Sequence, residues 1–111
     1  MSTFSLSRSA ELDLDEIDLR TIELFGFAQA DKTDAAFYKA FHELGAMPRM
    51  GHRRSDLDPP GREFLCWTVL RRFLIVYEPT KGGIRVARII DGSRDLRSVL
   101  TEDEGDADRP A

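Results

Sequence analysis

A histidine among arginines is the first grouping in this sequence that could do acid–base chemistry. His52 follows Arg49 closely and directly precedes Arg53 and Arg54. An imidazole can act as a general base near neutral pH, and guanidinium groups hold phosphates well, so this pattern would suit RNA cleavage. A polar loop residue without a chemical role is the more common explanation of such a histidine, and we favour it here.

Two other groupings could do chemistry, and each also has a structural explanation. Asp91 and Asp95 could work as paired carboxylates, but they flank Gly92-Ser93-Arg94, a spacing typical of a turn held by Asp–Arg contacts. Trp67 and Tyr77 could stack on nucleic-acid bases, whereas aromatic residues on strands more often belong to a core or an interface. Neither grouping predicts catalysis by itself.

Recognisable catalytic and cofactor motifs are missing from the sequence. It contains no phosphate-binding loop, no nucleophile elbow and no pair of histidines with metal-ligand spacing. A zinc site made from Cys66, His42 and His52 is not expected, because no two of them have ligand spacing. We therefore predict no catalytic residue, no cofactor and no metal.

The charge is divided unevenly along a chain that is long enough for one domain. The 111 residues carry a net charge of -4. Residues 1–48 hold nine acidic and four basic side chains, residues 49–97 hold six acidic and eleven basic ones, and residues 98–111 hold five acidic and one basic. A charged partner and a solvated surface explain this pattern equally well. The sequence predicts a single domain over 1–100 and a disordered acidic tail over 101–111.

The sequence also predicts where the protein works. One cysteine, Cys66, cannot form an internal disulfide, which fits a reducing compartment. The first residues have neither a basic segment nor an apolar one of the kind that directs secretion. No apolar run approaches the roughly 18 residues of a membrane helix. We expect a cytoplasmic protein without a membrane partner.

Two helices are predicted in the first half of the chain. Ser7 is the expected N-cap of the first helix, and acidic residues crowd its early turns. Its apolar stripe consists of Ala10, Leu14, Ile17, Leu24, Phe25 and Ala28. Asp31 or Thr33 is expected to open the second helix, and Gly45 is a plausible C-cap. The stripe of the second helix consists of Ala36, Phe37, Ala40, Phe41 and Leu44, with His42 beside it as a structural residue. The short connection predicts an antiparallel helical hairpin.

Strands are predicted in the second half. A long loop over 47–62 separates the helices from strands at 63–69, 72–78 and 84–91, which form an antiparallel meander. A short extended run over 3–6 precedes the first helix. The fold class is therefore α+β, with an N-terminal helical hairpin packed on a small, mainly antiparallel β-sheet.

The strand Phe73-Leu74-Ile75-Val76-Tyr77 is apolar on both faces. Two helices cover only one face of a sheet, so we expect the other face to be partly open or filled by another chain. The alternative is that the 47–62 loop and the tail fold over it. Leu12 and Leu19 lie on the helix face opposite the apolar stripe, where they are scattered surface residues or a second partner contact.

Three ordered stretches of the sequence match a known pattern. They are Leu6-Ser7, Ala10-Glu11, Asp13-Leu14 and Glu16-Ile17; then Pro48, Met50-Gly51 and Arg53, followed by Leu57, Arg62 and Phe64 around a proline-glycine turn; and last Ile84, Val86 and the run from Arg88 to Leu96. In this order and spacing they resemble the ParE branch of the RelE/ParE toxin superfamily over about residues 3–100.

The resemblance implies a function as well as a fold. It implies the toxin of a type II toxin–antitoxin pair, held by a ParD-like antitoxin that wraps a C-terminal segment across it. The antitoxin would contact Leu12, Leu19, Leu74, Val76 and Tyr77. The target would be contacted by six arginines, namely Arg53, Arg54, Arg62, Arg72, Arg88 and Arg94. For Arg94 and Asp95 we favour a structural role in which they tie the last turn to the sheet, and Arg88 stays open between a structural and a target-binding role.

One departure from the family pattern bears on the target. Members typically close with Arg-Val-Leu-His-Gly-Ala-Arg-Asp-Leu, and Asp91 stands here at the position of that histidine. No histidine follows His52 and no tyrosine follows Tyr77. The resemblance therefore favours inhibition of DNA gyrase by protein contact. A RelE-like ribosome-dependent mRNA endoribonuclease and a toxin fold without toxicity are the alternatives.

Overall fold

The chain forms a helical hairpin on one face of a five-stranded sheet. This computed structural model describes residues 3–53 and 60–92. The elements in chain order are β1 (Phe4–Leu6), α1 (Arg8–Phe25), α2 (Phe27–Ala46), β2 (His52–Arg53), β3 (Leu65–Val69), β4 (Phe73–Thr80) and β5 (Gly83–Asp91). The α+β architecture predicted from the sequence is confirmed. The predicted acidic tail, Arg54, Arg94 and Asp95 lie outside the described residues.

The first helix begins where the sequence places it. The Ser7 side chain accepts a hydrogen bond from the backbone N–H of Ala10 at 3.0 Å, as an N-cap does. Ala10 and Leu14 of the predicted stripe are buried, and Ile17 packs against them. The rest of the stripe is exposed, at Leu24, Phe25 and Ala28. This part of the predicted stripe was wrong: Leu24 and Phe25 are exposed in the last turn of α1, and Ala28 belongs to α2.

The second helix begins earlier than predicted. It starts at Phe27, directly after Gly26, so neither Asp31 nor Thr33 opens it. Gly26 has φ +90°, a conformation that glycine adopts without strain, and this single residue is the whole connection between the helices. Gly45 is not a C-cap either: it is buried in the last turn, and Met47 caps the helix.

The sheet is mixed, with strand order β1-β5-β4-β3-β2. The predicted meander of β3, β4 and β5 is confirmed. Leu70 and Arg71 lie in the β3–β4 turn with left-handed φ values near +57°, and the Arg72 N–H closes this turn on the Val69 carbonyl at 3.2 Å. The short run at the N-terminus is β1, which pairs parallel to β5. The predicted 47–62 loop is interrupted by β2, which pairs with β3.

Both faces of the sheet carry buried apolar residues. The helix-facing core includes Phe37, Phe41 and Ile75, none of them exposed. The opposite face holds a second buried cluster, made of Phe64, Cys66, Val76, Ala87 and Ile90, with Leu74 packed against it. The expectation of an open second face was therefore wrong at Val76, whose side chain is fully buried. Within the described ranges, neither helix is long and apolar enough to cross a membrane.

A buried tyrosine fastens the segment after α2 to the sheet. The Tyr77 hydroxyl donates to the Pro48 carbonyl at 2.8 Å and accepts from the Gly51 N–H at 2.9 Å. Burial raises the pKa of Tyr77 above its usual value. Gly51 lies so close to the hydroxyl that a Cβ there would collide with it. Tyr77 thus positions the segment that leads into the basic residues of β2.

Removal of the Tyr77 hydroxyl is expected to lower stability. Tyr77→Phe keeps the ring but leaves Pro48 and Gly51 without their partner, so the free energy of unfolding should fall by about 1–3 kcal/mol. Tyr38→Phe is the matched control, because Tyr38 is 43% exposed and keeps its ring contacts with Phe4 and Phe41. Urea unfolding measures both. Equal stability of the two variants would contradict a role for the Tyr77 hydroxyl in fastening the segment.

Candidate functional site

The tip of the helical hairpin carries a group of neighbouring large apolar side chains that are highly exposed. Leu24 is 63% exposed, Phe25 65% and Phe27 73%. Leu24 and Phe25 lie toward the core side of α1, because they continue the stripe of Leu14 and Ile17 at helical spacing. They are uncovered because the sheet ends before the helix does. Exposed clusters of this kind mark interaction sites.

A groove lies between the last turns of α1 and the adjoining ends of β4 and β5. It encloses about 310 Å³. Its apolar lining includes Ile17, Leu24, Phe25, Phe73 and Ile89. A neighbouring cavity of about 270 Å³ extends it toward the β3–β4 turn at Leu70. Thr21, Phe25 and Phe73 line both cavities, so the two form one continuous depression under the hairpin.

The rim of this groove carries charges of both signs. Arg72 pairs with Asp91 at 3.0 Å, and its guanidinium lies over the Phe73 ring, 5.1 Å from the ring centroid. Glu16 and Arg20 line the facing side on α1. An apolar floor with a mixed charged rim suits an amphipathic peptide segment, which buries apolar side chains and leaves polar ones at the edge.

The predicted target-binding arginines that the structure describes all form ion pairs within the chain. Arg53 pairs with Glu63, and the hydrogen bond from Arg53 together with the charge of Arg49 lowers the pKa of Glu63. Arg62 pairs with Glu78 at 2.8 Å and also lies over the Phe64 ring. These arginines lie at different places in the fold and pair with different carboxylates: Arg53 in β2, Arg62 before β3, Arg72 in the β3–β4 turn and Arg88 in β5.

Arg88 is the most buried of these arginines. It donates two hydrogen bonds to Asp13, at 2.8 and 3.0 Å, and both side chains are nearly nine-tenths buried. Asp13 also accepts the backbone N–H of Ile89 at 2.9 Å. Arg88 therefore joins β5 to α1, which is the structural one of its two predicted roles.

The predicted antitoxin contacts fall into two groups. Leu12 and Leu19 are 55% and 61% exposed, so they are available to a partner. Leu74 is half-buried, whereas Val76 and Tyr77 are fully buried. Val76 belongs to the second cluster and Tyr77 to the helix-facing core, so neither side chain presents surface in the chain alone, and their contact with an antitoxin stays a prediction.

The basic grouping around His52 is a surface feature of the β2–β3 edge. His52 is exposed and stacks on Trp67, with 6.4 Å between ring centroids. Arg49 and Arg53 flank it, and both pair with Glu63. His42 is also exposed, and its ring contacts Phe4. Within residues 3–53 and 60–92, no three His, Cys, Asp or Glu side chains are grouped to hold a metal ion.

Comparison with known proteins places this architecture in a family. Residues 4–96 match the family model described as the ParE toxin of type II toxin–antitoxin systems, parDE. The chain belongs to the ParE toxin family. It is 30% identical over 94 residues to Toxin ParE3 of Caulobacter vibrioides (strain ATCC 19089 / CIP 103742 / CB 15), a match covering 85% of this chain and 90% of that protein.

A solved structure shares the fold. It is described as a chromosomal ParDE TA system from P. aeruginosa, and its match covers 82% of this chain and 96% of that chain. The TM-score is 0.65 at 24% sequence identity. The family model and the relative confirm the family assignment from the sequence, and the solved structure confirms the fold. Sequence reasoning missed the groove, although Leu24, Phe25 and Phe27 around one glycine are a signal that could have indicated an exposed hairpin tip.

The structural role of Arg88 gives a testable difference from a surface arginine. Arg88→Ala leaves the Asp13 carboxylate buried without its cation, so we expect a loss of about 3–5 kcal/mol in the free energy of unfolding. Arg85→Ala is the control, because Arg85 pairs with Glu78 at 3.2 Å on a side chain that is 42% exposed, and should lose at most about 1 kcal/mol. Thermal unfolding of both compares them. An Arg88→Ala protein as stable as Arg85→Ala would contradict the structural role.

Proposed function

We propose that this protein is the toxin of a type II toxin–antitoxin pair in the cytoplasm, that a ParD-like antitoxin neutralises it, and that the free toxin inhibits DNA gyrase by protein contact without catalysis. Membership of the ParE family supports the toxin role. The groove under the hairpin is the observation on which the antitoxin proposal rests, because it is open, is continuous over two cavities, and combines apolar side chains with charged ones.

The antitoxin segment would lie in the groove with its apolar side chains on Ile17, Phe73 and Ile89. Its polar side chains would meet Glu16 and Arg20 on one rim and the Arg72–Asp91 pair on the other. A segment longer than the groove would continue over the outer surface of α1. Leu12 and Leu19 lie four residues before Glu16 and three after it, so they adjoin this rim on the helix.

Several features favour gyrase over messenger RNA as the target. Asp91, at the position where family members typically have histidine, is held by Arg72 and is an acceptor in that contact. Phosphate contacts dominate nucleic-acid affinity, and an RNA-binding surface needs arginines with charge to offer. The described arginines of the proposed target set are instead engaged with Glu63, Glu78, Asp91 and Asp13.

Filling the groove is expected to block the antitoxin. Thr21 lines both cavities, so Thr21→Trp places a large ring where the antitoxin segment would lie. We expect the antitoxin Kd to rise at least about tenfold, because the displaced segment loses its apolar contacts. Lys39→Trp, at an exposed position of α2 that lines neither cavity, is the matched control. Calorimetric titration of each folded variant with the antitoxin measures the effect, and an unchanged Kd for Thr21→Trp would place the antitoxin elsewhere.

The target itself is identified by two assays on one preparation. The free protein is expected to stop DNA supercoiling by purified gyrase and to leave ribosome-bound messenger RNA uncut. Antitoxin added in equal amount should restore supercoiling, which is the control for specificity. Codon-specific cuts with supercoiling intact would identify a ribosome-dependent endoribonuclease instead. Absence of both effects, with the antitoxin still bound, would identify a toxin fold that has lost toxicity.

A further inference from the structure

The hairpin tip is a rigid apolar projection. Its residues 24–27 connect two helices through Gly26 alone, with no intervening loop. The Gly26 N–H closes α1 on the Ile22 carbonyl at 2.9 Å, and the Gly26 carbonyl accepts from Ala30 at 3.2 Å. Both helices are thus hydrogen-bonded up to the glycine. A tip held in this way loses little conformational freedom when a partner binds it, which favours a role in recognition.

Only part of the tip belongs to the groove. Leu24 and Phe25 line the groove, whereas Phe27 lines neither of its cavities. Phe27 is nevertheless the most exposed large apolar side chain among the described residues. An antitoxin segment in the groove accounts for Leu24 and Phe25 but leaves Phe27 unexplained.

The surface around the tip is acidic. Between residues 8 and 34 the chain carries eight acidic and three basic side chains. Glu23 and Asp31, both exposed, flank the tip. Burial and the nearby carboxylates of Asp18, Asp31 and Asp15 raise the pKa of Asp34, which reflects the density of negative charge between the two helices. The tip is therefore an apolar point on a negatively charged arm.

This charge decides what kind of partner fits. Nucleic acid is repelled by the carboxylates and offers no apolar cleft. A second copy of the chain would bring two acidic arms together, and four tip residues bury far less than the roughly 1,600 Å² of a stable interface. A convex apolar tip fits instead as a central anchor in a cleft, surrounded by a charged rim. That rim must be basic to complement the arm.

We propose that the hairpin tip, with Phe27 at its end, is the element that engages the toxin's target protein by entering an apolar cleft whose rim is basic. This inference rests on the proposed function, in that it requires a toxin that acts by protein contact. Surfaces that bind DNA are basic, so a DNA-handling enzyme offers such a rim. An antitoxin in the groove covers Leu24 and Phe25 and thereby blocks the tip directly.

The Phe27→Ser variant tests the tip without changing a residue that lines the groove. The matched control is Met47→Ser, since Met47 is 61% exposed at the opposite end of α2. Four measurements are made on each: the melting temperature, the antitoxin Kd, the concentration that half-inhibits gyrase supercoiling, and growth arrest when the toxin is expressed alone. We expect Phe27→Ser to weaken inhibition and growth arrest at least about tenfold. Its melting temperature should stay that of the unmodified protein, and its antitoxin Kd should stay within about twofold.

A charge variant tests the rim independently. Glu23→Gln combined with Asp31→Asn should weaken inhibition several-fold, and added salt should reduce the effect of this variant because exposed charges are screened. Full potency of Phe27→Ser overturns the proposal, and so does an equal loss in Met47→Ser. A loss of antitoxin affinity in Phe27→Ser without loss of potency also overturns it, by assigning Phe27 to the antitoxin site. Dimerisation of the unmodified protein that Phe27→Ser abolishes would assign the tip to self-association.

The growth assay distinguishes this inference from the identity of the target. If the unmodified protein arrests growth but leaves supercoiling intact, gyrase is excluded, while the effect of Phe27→Ser on growth still decides whether the tip engages the target. If the unmodified protein neither arrests growth nor inhibits gyrase, the proposed function and the tip proposal both fail.

Discussion

The seam between the start of α1 and the open edge of β5 is the constraint on which the rest of the structure depends. β1 covers this edge only as far as Val86, opposite Leu6. Beyond that point α1 supplies the missing partners: the Ser7 hydroxyl donates to the Ala87 carbonyl at 2.7 Å, and Asp13 accepts the Ile89 N–H. Backbone groups at a buried strand edge must be satisfied, and here side chains of a helix do so in place of a strand.

This seam fixes where the hairpin lies on the sheet. Because Ser7 and Asp13 attach the first turns of α1 to β5, the helix is anchored at one end. Its 18 residues span about 27 Å, which carries the last turns beyond the edge of the core. The groove and the exposed tip are two consequences of this overhang. The side chains that would be core on a shorter helix or a wider sheet are exposed instead.

The ion pairs of the arginines bear on whether this surface suits a protein or a nucleic acid. A guanidinium that already donates to a carboxylate in its own chain has less to offer a phosphate. Arg72 is an example. Its partner Asp91 stands at the family's histidine position and holds Arg72 at the rim of the groove. A histidine at position 91 would titrate near neutral pH and would not give Arg72 the carboxylate that Asp91 gives it. The same strand end can thus serve a peptide-binding rim or a nucleic-acid site.

The sequence by itself determined both helices, the short extended run that becomes β1, the meander of β3 to β5, and the order of these elements. Ser7 as a cap, the stripes of α1 and α2, and the turn at Leu70-Arg71 are local signals, set by hydrogen bonding and side-chain spacing within a few residues. The family followed from ordered motifs along the chain. The ends of the elements were harder to predict from the sequence. α2 begins after Gly26 without a polar side-chain cap, and β2 is too short to leave a pattern.

Only the tertiary structure decided what each stripe faces. Leu14 and Leu24 belong to the same apolar stripe of α1. Leu14 is buried and Leu24 is exposed, because burial depends on where the sheet ends. The strand that holds Val76 and Tyr77 was expected to leave one face partly open, but both faces of the sheet carry buried apolar clusters. The partner of Arg88 lies 75 residues away in sequence. Such contacts are absent from the sequence pattern, since they arise only when distant segments are brought together by the fold.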